Sequence, residues 1–599
     1  MPDTNADMLR ALYGTSTPPP LARSFAVGRL AFEIVGGNLR AIRFDGTEII
    51  RGIQYLVRDS DWGTPAPVIG QMHVEEHGGG IAVTYQAQCT TPDGARLKYT
   101  AHISAHDTGL EFAVEAQAID DLTVNRLGFC VLHPAGLSGA PLNVDHGDGS
   151  SEASHFPDLI DPWQPFTDIA ALTHRQDGVT VRCTLDGDSF EMEDQRNWSD
   201  ASYKTYVRPL AKPWPYVVSA GTVDRQSVRL EVAGAITTKP DRTSRTIEVL
   251  IGEPVGTMPR IGLVVAQGEA DDFIARRSLL ADCGVQDLLL SFDATAGHRY
   301  ADMAALARAV ADLPHRKTLE CVIAATGDLD AELAAIANQV ARSGLALDAV
   351  SVFPAPDLQS TPPGSVWPDC PSLADIYAAT RRAFPRQSLG GGMYGYFTEL
   401  NRKRPPLEPL DFVSHATCPI IHAADDASVM QSLEAVPRIL RSARAIIGDK
   451  PYRLGPVTIG MRQNPYGLRT TPNPQHERIA MATIDPRQDG RFAAAWIIGY
   501  AAATEHAALD TLTLGALTGP LGVAGEHGPR PIFAAVAALA GLAEQERRSC
   551  RSSSPEKVAA VAAGEVTILA NLTPDVQTAS IGSSEIVLAP FAIERVRLD

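Results

Sequence analysis

The sequence predicts a multidomain α/β plus β protein with a central (β/α)8 TIM-type barrel, an N-terminal antiparallel β-sandwich and a small C-terminal β-module. Three observations predict it. The chain has 599 residues, more than one apolar core supports. Its first third alternates apolar and polar residues between D-G, H-G-G-G and D-T-G turns. From residue 261 onward, short apolar strands alternate with Ala- and Leu-rich helical stretches.

Taken in order, residues 1–24 form an N-terminal helix and linker. The amphipathic piece MLRALYG is followed by TSTPPP, which cannot continue a helix and sets that piece apart. Residues 25–255 form the sandwich, because D-G and T-G turns between alternating strands mark antiparallel hairpins. The GEPVGTMP segment, residues 252–259, reads as a linker. Residues 256–545 form the barrel. Its strands begin at Ile261, Asp287, Lys317, Asp348, Ser388, Asp411, Tyr452 and Asp510. Eight closes a barrel with a filled interior, and the intervening stretches ADMAALARAVADL and AELAAIANQVARSG carry apolar residues at helical spacing. An open doubly wound sheet would need a Gly-rich phosphate turn that is missing. Residues 546–599 follow a polar break, CRSSSPEK, and are too few to bury much surface alone, so this module should pack on a neighbour.

Composition narrows the partners. A net charge of −18 without a compensating basic run repels phosphate backbones and anionic lipid, so neither nucleic acid nor membrane is expected. No basic segment followed by an apolar one opens the chain, and no apolar run is long enough to span a bilayer; a cytoplasmic location is expected. Eight scattered cysteines without a C-x-x-C pair suit a reduced compartment and speak against a zinc cluster, and no metal or cofactor is expected. The oligomeric state is left open.

In a barrel, catalytic groups belong at the C-terminal ends of the strands and in the loops after them. The second strand ends at Asp293. The fifth runs through Gly390, Gly391 and Gly392 into Tyr394, Glu399, Asn401 and Arg402. Consecutive glycines weaken a strand, so they suggest a close backbone approach by a ligand or neighbour, or else a bulge. The sixth strand carries His415, where a base or electrophile could sit, and its loop carries His422. The seventh ends at Arg462, suited to a carboxylate, an oxyanion or a structural ion pair.

The densest polar run lies outside the barrel, in FEMEDQRNWSDASYKTY, residues 190–206. It holds Glu191, Glu193, Asp194, Arg196, Asn197, Asp200 and Lys204 among aromatic residues. Strand alternation puts Glu193 and Asp194 on opposite sides unless the chain turns at Asp194. The run is either a solvated hairpin or a segment that reaches over the barrel mouth. The mouth is nearly bare of titratable groups after the eighth strand, which favours a composite site with this run as its second half.

G-x-S-x-G, H-E-x-x-H, Walker A and Rossmann motifs are all absent. What remains is carboxylate, His and Arg chemistry on a polyhydroxy ligand: glycoside hydrolysis by paired carboxylates, or opening of an ester or lactone by activated water.

The residues EMEDQRNWSDASYKTY (191–206) and GGGMYGYFTELNRKRPP (390–406) resemble those of the D-apionate lactonase family, with similarity along nearly the whole chain. The resemblance implies hydrolysis of D-apionolactone to D-apionate in D-apiose catabolism. It transfers no catalytic residue, so the site rests on position. Glu399, His415 and Glu193 are the expected catalytic groups: Glu399 as base or acid, His415 as its counterpart and Glu193 as second carboxylate. Arg462 or Lys204 would stabilise the oxyanion, and Asp194, Arg196, Asn197, Asp293, Tyr394, Asn401 and His422 would help hold substrate. A glycosidase would instead pair Glu399 with Glu193 or Asp293.

Overall fold

The computed structural model describes residues 4–236 and 246–597. Its centre is a closed barrel of eight parallel strands, Arg260–Val265, Asp287–Asp293, Arg316–Ile323, Ala349–Pro354, Ser388–Tyr396, Phe412–Thr417, Tyr452–Val457 and Thr511–Ala516. Each expected strand is present. The three glycines of the fifth strand are explained by neighbours: a Cβ on Gly390 would lie 2.2 Å from Phe412, and one on Gly391 would lie 2.7 Å from Leu410 and Tyr377. Gly392 has φ +109°, which other residues rarely adopt, and the register with the sixth strand shifts after it.

Residues 23–234 form one antiparallel sheet system wrapped around its own apolar core, which includes Phe44, Ile53, Phe112, Phe129 and Val131. Alternation is clear in Arg96–His106, where every second residue is buried. The strand Leu122–Pro134 has partners on both sides. It pairs with Thr47–Asp59 on one side, placing Arg126 opposite Arg58, and with Ser202–Val207 on the other, placing Leu132 opposite Lys204. Leu127, Phe129 and Val131 enter the core, so Arg126, Gly128, Cys130 and Leu132 form the opposite face. That face covers the mouth of the barrel.

Two segments differ from expectation. The GEPVGTMP linker lies mostly within the strand Thr246–Thr257, which pairs antiparallel with Glu546–Ser552 and parallel with Gln577–Ile581. This strand belongs with the C-terminal sheet rather than with the sandwich. A separate core of Ile247, Val249, Val558, Leu569 and Leu588 holds it there, which supplies the burial that the small module lacks alone. The N-terminal helix Thr4–Tyr13 is not set apart either, because its apolar face docks on the barrel, with Tyr13 packed against Phe492 and Phe591. Among the described residues, no helix is long and apolar enough to cross a membrane.

Candidate active site

Between the covering sheet face and the barrel mouth lie two adjoining chambers, of about 70 Å³ and about 200 Å³. Arg58, Arg126, Lys204, Tyr206 and His422 line both. The smaller chamber is closed from the barrel side by Ser360 after the fourth strand, Arg402 after the fifth, His422 after the sixth and Tyr466 after the seventh. All four stand at the C-terminal end of the barrel.

The polar run reaches this place because its strand breaks at Asp194. The strand Phe190–Glu193 pairs with Ser202–Val207 and sets Glu193 directly opposite Lys204. Between them the chain makes a short 3-10 turn, Gln195–Trp198, closed by Ser199 at φ 73°. The Lys204 ammonium lies 2.6 Å from Glu193 Oε2, and the Trp198 indole donates to Glu193 Oε1 at 3.0 Å. Burial alone would raise the Glu193 pKa, but the charge and hydrogen bond of Lys204, joined at low pH by protonated His422, outweigh it and hold the carboxylate at about 2. Glu193 is therefore ionised at neutral pH.

Asp200 and His422 meet across the domain boundary, Asp200 Oδ2 to His422 Nδ1 at 2.7 Å. Burial lowers the His422 pKa below its ordinary value, and the Asp200 carboxylate opposes that only in part. Above that lowered pKa the imidazole is neutral. Hydrogen bonding to Asp200 selects the tautomer with the proton on Nδ1, so Nε2 carries the free lone pair. Around the pair, Trp198 packs edge-on to His422 with ring centroids 6.0 Å apart and lies 5.2 Å from the Tyr466 ring. Burial raises the Tyr466 phenol far above its usual range.

The other expected residues have other positions. Glu399 is buried behind the chamber wall; its Oε1 accepts from Ser360 Oγ at 2.6 Å and from Arg402 at 3.2 Å, and its Oε2 is buried without a hydrogen-bond partner. It holds two groups that line the chamber without lining it itself. His415 is not brought to the cavity. Strand alternation turns Ser414 into the barrel and His415 toward the helix layer, where it packs near Phe397, accepts or donates at Tyr452 Oη (2.6 Å) and meets the Ala416 carbonyl. Burial lowers its pKa to about 4.

Arg462 is likewise engaged elsewhere, in an ion pair with Glu320 inside the barrel and with its guanidinium 3.7 Å from the centre of the Tyr394 ring. Asp194 and Arg196 form a fully buried ion pair whose remaining bonds go to Asp161, Pro157 and Ser138. Asn401 donates to Ile160 O and Asn197 Oδ1, and Thr398 donates to Asn197 O, so these residues fasten the turn to the helix after the fifth strand. Asp293 closes its own turn by accepting from Thr295 and Ala296. Of the expected site residues, the structure thus gathers Glu193, Lys204 and His422 at the cavity; Asp194, Arg196, Asn197 and Asn401 fasten the neighbouring turn, while His415, Arg462, Tyr394 and Asp293 are engaged elsewhere.

Arg58, Arg126, Ser360 and Tyr466 were not expected, and Asp200 was seen only as one charge in the run. The two arginines fall on the side of their strands that faces away from the core, in YLVRD and TVNRLGF, and nothing in the sequence says what that side meets.

The D-apionate lactonase N-terminal domain matches residues 10–235, the TIM barrel domain of that family matches residues 261–544, and its C-terminal immunoglobulin-like domain matches residues 555–596. The chain belongs to the D-apionate lactonase family. A D-apionate lactonase from Brucella anthropi is 46% identical over 599 residues, covering 98% of each chain. Among solved structures, a family 51 α-L-arabinofuranosidase from Bifidobacterium longum is 14% identical and covers 60% of this chain and 95% of its own, with a TM-score of 0.40. A β-arabinopyranosidase is 11% identical over 96% of this chain and 98% of its own, at a TM-score of 0.32.

Proposed function

We propose that this protein hydrolyses a sugar-acid lactone, D-apionolactone, to D-apionate within D-apiose catabolism, and that the cavity between the sheet and the barrel is the active site. The observation that carries the activity is the match to the D-apionate lactonase family in all three domains, with a relative of that name along 98% of the chain.

The chemistry needs a base for water, a stabiliser for the tetrahedral oxyanion and an acid for the departing ring oxygen. In this reading His422 Nε2 takes a proton from water as the hydroxide oxygen bonds to the lactone carbonyl carbon. Asp200 holds the resulting imidazolium. The intermediate then collapses, the bond from the carbonyl carbon to the ring oxygen breaks, and His422 returns its proton to the leaving alkoxide. Lys204 supplies positive charge to the oxyanion, while Glu193 fixes the ammonium in place. Trp198 and Tyr466 offer flat apolar surface to the sugar ring. Glu399 would orient Ser360 and Arg402 rather than act on substrate.

A paired-carboxylate glycosidase requires a carboxyl group kept protonated. Glu193, held at about 2, cannot be that acid, and Glu399, the other carboxyl of such a pair, stands behind the chamber wall rather than in its lining. A cytoplasmic location is supported by eight cysteines, all of them free. The test is to offer D-apionolactone, other sugar lactones and aryl glycosides to the purified protein. Acid release from lactones alone is expected; turnover of aryl glycosides without lactone opening would overturn the reading.

A further inference from the structure

We propose that the larger chamber is an anion site in which Arg58 and Arg126 bind the carboxylate of a small polyhydroxy acid, the product of the proposed lactone opening. The inference rests on that proposed activity for the identity of the ligand but not for the existence of the site.

The first observation is register. Arg126 and Arg58 are directly opposed partners on adjacent antiparallel strands. Like charges in that position repel and destabilise a sheet, so the folded chain carries a cost that a bound anion would relieve. The second is the lack of protein counter-charge. Six cationic side chains line the two chambers, Arg40, Arg51, Arg58, Arg126, Lys204 and Arg402, against two carboxylates, Glu193 and Asp200. Four of the six are taken: Arg40 by Asp425, Arg51 by Glu48 and Glu434, Lys204 by Glu193 and Arg402 by Glu399.

Arg58 and Arg126 have no ion pair among the described residues. Arg58 donates to the Trp62 carbonyl at 3.1 Å, and Arg126 lies 3.8 Å from the centre of the Tyr206 ring with a buried Nε that finds no acceptor. Burial, and next the charge of Arg126, lowers the Arg58 pKa, as expected for a cation without a partner. In a protein of net charge −18 this is a local reversal of sign.

The chemistry selects the ligand. Planar guanidiniums bind carboxylates in bidentate fashion, and a neutral lactone has no carboxylate until it has been opened. The arginines share a chamber with His422 and Lys204, so the acid is formed beside them. They would bind product more tightly than substrate, and the enzyme would be inhibited by its own product.

Calorimetric titration of the full-length protein with sodium D-erythronate, and in parallel with the neutral polyol erythritol, tests the site without any turnover. Erythronate is expected to bind at least about tenfold more tightly than erythritol, a difference of about 1.4 kcal/mol, and to inhibit lactone hydrolysis. Arg58→Gln and Arg126→Gln should each lose about tenfold in erythronate affinity, with Arg126→Lys falling between. Equal binding of acid and polyol by the wild-type protein overturns the site, whatever the variants do. So does full erythronate affinity in glutamine variants that melt like wild type. Erythronate binding without lactone hydrolysis would instead remove the proposed activity and leave the anion site standing.

Discussion

Asp200 comes from the turn of one domain and His422 from a barrel loop of another, and their 2.7 Å contact defines the proposed base. Because burial lowers the His422 pKa, the free base is the dominant form above that lowered value, and kcat/KM should fall as pH drops through it, below the ordinary 6.5. Asp200→Asn removes the charge that supports the imidazolium and unsettles the tautomer. It should cost about a hundredfold in kcat, with the acid limb moved to lower pH because the opposing charge is gone; a pH–rate profile reads both effects. At this scale the sequence showed residue types but not directions. His415 and His422 are seven positions apart, one in a strand and one in the following loop, and only the alternation that turns His415 toward Tyr452 and Phe397 separates them. Arg58 and Arg126 were hidden for the same reason: the face of a strand is visible in sequence, but not what it faces.

The elements that carry the site are fastened by buried polar contacts. The turn Gln195–Trp198 is anchored by Asp194 and Arg196, both fully buried, and tied to the helix Phe397–Lys403 through Asn197, Thr398 and Asn401. Asp194→Ala would leave the Arg196 guanidinium buried without its partner and should cost about 3–5 kcal/mol in a denaturant titration. Gly391→Ala would drive a methyl group into Leu410 and Tyr377 and should cost about 1–3 kcal/mol, because Tyr377, on the helix Leu373–Ala383, and Leu410, just before the sixth strand, are both buried against it. Such tight packing explains why the barrel was legible in the sequence. Asp287–Asp293 and Ser388–Tyr396 start where their patterns start, since the short apolar runs of strands packed under helices stand out against the helical stretches between them. The strand Thr246–Thr257 was not legible, because Gly252, Pro254 and Gly256 imitate a linker while the long-range pairing that makes them strand lies some three hundred residues away.

At the scale of the whole molecule, three fully buried histidines among the described residues contribute to the response to acid. His133, His174 and His415 are completely buried, and burial lowers their pKa values to about 3, 4 and 4. Between these values and 6.5 the unfolded chain binds protons that the folded chain refuses. Stability is therefore full above about pH 6.5 and is lost as pH falls, by about 2 kcal/mol per histidine at pH 5. A melting temperature that drops steadily from pH 7.5 to 5 is expected in scanning calorimetry, and a flat profile would refute the assignment.

The proposed site is a joint property of two domains, with the sheet face supplying Asp200, Lys204 and the arginines and the barrel supplying His422 and Tyr466 to the lining of the chambers. Its most direct test is the rate at which the wild type and His422→Gln release acid from D-apionolactone, followed in a pH-stat with the melting temperatures of both recorded. The variant should melt like wild type and lose about a hundredfold or more in kcat. A folded His422→Gln protein that opens the lactone at the wild-type rate would contradict the account.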